Sequence, residues 1–153
     1  MEEGAFWHLI AQLGSQRDDA GFDRLSGTIR ALPAAEILNF QDRLSEVLHR
    51  LDYRAIARQK WRSTEQPRWF PRIPGISADG FLYARCAAVI EGQSTVEGII
   101  ADHRRFARAW DLAAERLLSV APDAFEGATG TPWDYGRPAP VSYETGSNPT
   151  GDW

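Results

Sequence analysis

Charged and aromatic side chains crowd one stretch of the chain. Between Arg50 and Arg72 lie seven cations (Arg50, Arg54, Arg58, Lys60, Arg62, Arg68 and Arg72) against Asp52 and Glu65, a local excess of +5. The whole chain carries −4, which leaves −9 for the rest. A positive patch on an acidic protein can hold an anionic ligand or an acidic partner surface. Trp61, Trp69 and Phe70, beside Arg68 and Arg72, could stack on a ring or anchor an interface. Arg50, Arg54 and Arg58 recur every four residues, which is also the pattern of a wet helix face.

A second constellation could do acid–base chemistry. His49 and Tyr53 stand one helical turn apart, with Glu46 three residues before His49. Histidine titrates near neutrality, and a carboxylate can orient it. Solvated helix surface explains the same triplet. Asp79 and Arg85 add to the set of catalytic candidates. Asp79 can simply cap a helix. Arg85 sits among apolar residues, and a buried arginine must be paired. Glu36, Glu46 and Glu97 are candidate partners.

Other chemistries lack their residues. His8 and His103 have no ligand spacing, so no metal site is expected. Cys86, the single cysteine, lies in an apolar run and reads as an inert core thiol in a protein without an internal disulfide. No phosphate-binding glycine loop and no Gly-x-Ser-x-Gly elbow occurs, and no cofactor is implied. The acidic balance argues against nucleic acid as a partner. No run reaches the ~20 apolar residues of a membrane span, and the acidic N-terminus is unlike a signal peptide. A cytoplasmic location is expected.

The elements that position these residues are helical. From Pro33 to about Lys60 runs the longest helical pattern. Ile37, Phe40, Leu44, Val47 and Leu51 step by three and four, so one face is apolar. Before it come a short helix bearing Phe6, Trp7, Ile10 and Leu13, stopped at Gly14, and a second bearing Phe22, Leu25, Ile29 and Leu32, capped at Asp18 or Asp19. From Trp61 to Asp79, Pro67, Pro71, Pro74 and Gly75 predict a loop, and long loops of this kind are usually functional. A buried helix follows around Phe81, Leu82, Cys86, Val89 and Ile90, then a short one from Ser94 with a capping box to Glu97. A further helix is predicted from Asp102 until Pro122 stops it, then a last turn to Gly130. No strand is expected. Residues 131–153 are proline- and glycine-rich, with aromatics at Trp133, Tyr135, Tyr143 and Trp153. That composition fits either disorder or an extended strap over the body.

Four segments occur in a telling order: FWHLI from Phe6, LPAAEILNFQDRL from Leu32, DGFLYARCAAVIEGQ from Asp79, and LLSVAPDAFEGATG ending at Gly130. Together they resemble the bacterial family called domain of unknown function 4240. The resemblance implies a helical domain and carries no established activity. The chain departs from the family pattern at Ala78, where an acidic residue is usual, and at Ala84-Arg85-Cys86-Ala87, where an aromatic is missing.

The expected fold is all-α: a helical domain at residues 1–130 built on one long helix, and an irregular tail at 131–153. Two functions stay open. One is a binding module for a protein partner or a small anionic or aromatic ligand, held by Trp61, Arg68, Trp69, Phe70 and Arg72. The other is a cofactor-independent enzyme using His49, Tyr53, Asp79 and Arg85 in a pocket closed by the 61–79 loop and the tail. The oligomeric state is not legible.

Overall fold

A computed structural model describes residues 1–67, 69 and 77–153. Seven α-helices account for most of them. Helix α1 (Glu3–Ala11) buries Phe6, Trp7, Leu9 and Ile10, and Gly14 takes a positive φ of 54° just beyond it. Helix α2 (Asp19–Arg30) starts where Asp18 accepts the Gly21 amide at 3.0 Å. Helix α3 (Ala34–Arg50) follows a sharp turn at Pro33 and, at 17 residues, is the longest among the described residues. It buries Ile37, Phe40, Leu44 and Val47, with Leu51 just beyond its end, the face its spacing foretold, and Leu48 beside them.

The continuous helix expected to Lys60 instead ends at Arg50. Its apolar rhythm calls for a buried residue near position 54, but Arg54 is exposed there and Ile56 falls out of step. Asp52 and Tyr53 leave the helix, and a single turn, α4 (Arg54–Ala57), re-aims the chain to bury Ile56, Ala57 and Trp61.

Strand β1 (Arg62–Ser63) pairs in parallel with β2 (Ala109–Trp110), a two-residue ladder that no alternation in the sequence announces. Helix α5 (Ala78–Ile90) is apolar all round and packs against α1, α3, α6 and the segment 112–118. Helix α6 (Gln93–Ala101) begins at Gly92, φ 103°, without a side-chain cap, so the expected Ser94–Glu97 box does not form and Glu97 instead accepts from Gln93.

The single helix predicted from Asp102 is broken. A 3₁₀ turn at His103–Phe106, strand β2 and a second 3₁₀ segment at Leu112–Leu118 replace it. Asp102 and Asp111 cap the two turns by accepting the amides two residues on. Such Asx turns compete with helix. Pro122 does not stop a helix: it lies in the first turn of α7 (Val120–Thr129), where a missing N–H removes no internal bond. Gly130, in the left-handed region at φ 67°, closes α7, which packs on α2 and α3. Among the described residues no helix is long and apolar enough to cross a membrane.

Candidate functional site

The C-terminal end of α3 gathers most of the molecule's unusual polar contacts. Asp52 and Arg85 are both fully buried, with Arg85 Nη1 at 3.8 Å from Asp52 Oδ1. At that separation they attract each other without a direct hydrogen bond. Each turns its hydrogen-bonding atoms elsewhere. Both Asp52 oxygens accept the Gly146 amide, at 3.1 and 3.0 Å, and Oδ2 also accepts the Asn148 amide at 3.0 Å. Arg85 donates from Nη1 to the Leu48 carbonyl and from Nη2 to Thr145 Oγ1, both at 2.9 Å. Thr145 then donates to the Ala78 carbonyl at 2.8 Å. The Arg85 guanidinium also stands 4.8 Å over the Phe81 ring. Burial pushes its pKa below the usual value while the Asp52 carboxylate opposes that push. An arginine nevertheless stays charged in a protein. Its Nε is buried without a hydrogen-bond partner among the described residues.

The carboxylate that partners Arg85 is therefore Asp52, not Glu36, Glu46 or Glu97. Glu36 accepts from Asn39, and Glu46 pairs with Arg43. The sequence did carry a signal: Asp52 stands directly after the last apolar residue of the α3 rhythm, where an unpaired acid would be costly.

The tail is laid over this pair. Trp133 packs edge-on against Phe125, and Arg137 pairs with Asp42 of α3. Further on, Asn148 Nδ2 donates to the His49 carbonyl at 3.0 Å, which also accepts the Asp52 amide at 3.0 Å where α3 ends. The Arg54 amide donates to the Gly151 carbonyl at 2.8 Å, and the Trp153 indole to the Asp52 carbonyl at 3.1 Å. Trp133, Arg137, Asn148, Gly151 and Trp153 thus each contact the helical body, and this stretch is termed the strap.

Between strap and body lies an open cleft of about 490 Å³, lined by His49, Arg50, Tyr53, Ile100, His103, Asn148, Pro149 and Thr150. His49 Nδ1 meets the Ser142 carbonyl at 2.8 Å. A carbonyl only accepts, so Nδ1 carries the proton and a neutral His49 keeps Nε2 as an acceptor. Thr150 Oγ1 donates to Asn148 Oδ1 at 2.8 Å, so the Tyr53 hydroxyl, 3.1 Å from Thr150 Oγ1, must be the donor between them. The Tyr53 and His103 rings lie 5.9 Å apart. Arg50 is exposed and makes no hydrogen bond or ion pair among the described residues.

The sequence-level candidates scatter around this geometry. His49 and Tyr53 both face the cleft, whereas Asp79 and Arg85 do not line it. Asp79 is exposed in the first turn of α5, which Ser77 caps by accepting the Gly80 amide at 2.9 Å. Glu46 does not orient His49. Trp61 is fully buried, its indole donating to the Ala57 carbonyl at 3.3 Å and its ring edge-on to Phe106, so it is core and presents no binding face. Trp69 is 82% exposed, and Arg68, Phe70 and Arg72 lie outside the described residues. His103, Asn148 and Thr150 were not singled out from sequence, because nothing local ties them to His49.

Cys86 is fully buried and its thiol is pushed up to about 12, first by burial, so it supplies no thiolate near neutrality. Among the described residues no three His, Cys, Asp or Glu side chains cluster as a metal site.

Comparison with curated proteins and with solved structures gives no match. The family comparison does: residues 1–127, the span that holds α1 to all but the last two residues of α7 with Asp52, Arg85 and the cleft-lining His49, Tyr53 and His103, match the Protein of unknown function model DUF4240, and the chain belongs to that family.

Proposed function

We propose that the protein binds a small anionic ligand with a planar part in the cleft between α3, the 103–106 turn and the strap. The observation that carries this reading is the chemistry of the lining. It offers one guanidinium, two imidazoles, a phenol ring and an amide, and no carboxylate. Such a set attracts an anion from an otherwise acidic protein and can stack a ring against Tyr53 or His103. The volume suits a small molecule, since ligand clefts run from about 300 to 1,000 Å³. Binding is favoured over turnover because His49 is oriented by a main-chain carbonyl and has neither a carboxylate nor a nucleophile in hydrogen-bond contact.

The test is a titration of the full chain with benzoate, citrate and inorganic phosphate, followed by amide NMR shifts. Benzoate, which has both charge and ring, should saturate shifts at His49, Tyr53 and His103. Arg50→Gln should weaken it about tenfold or more, the value of one charge-assisted hydrogen bond. Absence of saturable shifts with all three probes, or an Arg50→Gln variant that binds as well as wild type, would overturn the reading.

A further inference from the structure

Residues 145–153 are held in a way that reads as recognition of a particular peptide. Their seat is made by the end of α3, α4 and the start of α5, all within the family-matched residues 1–127, while the segment lies beyond them. The seat contributes fixed polar groups. The Asp52 carboxylate accepts two main-chain amides, the Arg85 guanidinium donates to a hydroxyl, and the Arg54 amide and Asp52 carbonyl meet Gly151 and Trp153. A buried ion pair that served only itself would close to a direct hydrogen bond. This one stays at 3.8 Å: Asp52 accepts from the segment, and Arg85 divides its donors between the Leu48 carbonyl and Thr145.

The segment is read position by position. Thr145 supplies the hydroxyl that relays Arg85 to the Ala78 carbonyl. Gly146 takes a φ of 87°, which a residue with a Cβ rarely adopts. Asn148 is 6% exposed and uses both ends of its amide, on the His49 carbonyl and on Thr150. Gly151 has no room for a side chain, since a Cβ there would run into the Asp52 carbonyl and lie 2.7 Å from the Trp153 indole nitrogen. The Trp153 ring closes the register 6.0 Å from Phe81. The segment is folded into two turns rather than extended, and main-chain bonds combined with side-chain checks hold it in one register.

We infer that this groove is a peptide-recognition site for segments of the form Thr-Gly-x-Asn-x-x-Gly-x-Trp, with the chain's own 145–153 as its ligand in cis. The site borders the anion cleft, which takes residues 148–150 of the seated segment as one wall. Tethering keeps the cis ligand at an effective concentration of order mM, so the wild-type protein is occupied and resists the same segment offered in trans.

The experiment uses the full chain carrying Gly151→Val, whose own tail cannot seat, and a fluorescein-labelled peptide of residues 142–153. Hydrogen exchange at Gly146 and Asn148 should accelerate at least tenfold in this variant, with α5 amides unchanged. The labelled peptide should then bind it saturably, should bind wild type at least tenfold more weakly, and should lose at least tenfold when it carries Gly151→Val itself. A Trp153→Ala chain, altered only at a half-exposed side chain, repeats the test should the first variant fold poorly. The inference is overturned if the tail of Gly151→Val stays as protected as in wild type, if the peptide does not bind either folded variant, or if a scrambled peptide binds equally. Benzoate titration of wild type, whose segment is seated, reports on the cleft, and peptide binding to the variants reports on the groove, so failure of one is distinguishable from failure of the other.

Discussion

Helix α3 meets the rest of the molecule differently at its two ends. Its first half is held by apolar contact: Ile37, Phe40 and Leu44 are fully buried, and Phe40 lies 5.2 Å from the Phe6 ring of α1. Its last turn and the residues after it bury Val47, Leu48 and Leu51 too, but add polar groups: Asp52, Arg85, Asn148 and the carbonyls of Leu48 and His49. The first arrangement tolerates any well-shaped hydrophobe, because dispersion and burial are not directional. The second admits few alternatives, because each buried donor or acceptor left unmatched costs about 1–3 kcal/mol. The apolar end makes the fold and the polar end fixes one conformation of the tail, and the cleft depends on the second.

The strongest way to expose the contrast is at the apolar end. Phe40→Ala should cost about 3–5 kcal/mol of global stability, the usual loss for a fully buried phenylalanine. Urea unfolding should show the whole loss as a shifted midpoint with the transition still cooperative. Under native conditions the tail amides should keep their wild-type exchange. Tail amides that loosen in step with the core would mean the two ends are one cooperative unit, and the contrast would fail.

Asp52→Asn is the matching change at the polar end. It keeps the shape and one carbonyl-type acceptor, but it removes the charge facing Arg85 and weakens the grip on two amides. A loss of about 1.5–3 kcal/mol is expected, the range for hydrogen bonds to charged groups. Exchange should accelerate first at Gly146 and Asn148. Because the pair is buried, raising salt should not recover or deepen the loss. A cost under about 0.5 kcal/mol with tail exchange unchanged would show that the carboxylate's charge does not hold the strap.

The same contrast explains what the sequence made legible. Steps of three and four from Ile37 to Leu51 are local, so the buried face of α3 could be read directly, as could a cap of α2 at Asp18 or Asp19 and a stop at Gly130. The family was legible as well, from ordered short segments rather than from any single motif. The site was not. Asp52 meets its tail amides across 94 and 96 residues, and His49 meets Ser142 across 93. No period links such positions, and a buried arginine announces that it needs a carboxylate without saying which. The broken segment after Asp102 failed for another reason: its apolar residues do keep helical spacing, but Asp102 and Asp111 turn the chain locally and override the pattern.

Ser77→Ala probes a polar contact that is local rather than long-range. Ser77 caps α5 by accepting the Gly80 amide at 2.9 Å, and it is exposed. About 1 kcal/mol should be lost. The effect should appear as fraying at the start of α5, read by exchange at Gly80 and Phe81, while Asn148 stays protected. If Asn148 loosens equally, the start of α5 and the strap seat are coupled through Ala78, whose carbonyl accepts from Thr145.

The smallest effect expected is on α3 itself, and it separates charge from burial. Arg43 and Glu46 form an ion pair at 2.6 Å three residues apart, with side chains 33% and 38% exposed. By count of charges it equals the Asp52–Arg85 pair; by distance it is the closer of the two. Its pairing energy should nonetheless be only about 0.3–0.5 kcal/mol, because water screens it and two flexible side chains must be ordered to make it. A double-mutant cycle with Arg43→Gln and Glu46→Gln isolates that term from the bond Arg43 also donates to the Met1 carbonyl. The coupling should vanish at 1 M salt, where the Debye length is about 3 Å. A coupling above 1 kcal/mol that survives salt would mean that close charges on α3 stabilise it wherever they lie. Asp52 and Arg85 would then owe their effect to charge alone, and the distinction between the two ends of the helix would have to be rebuilt on distance instead of burial.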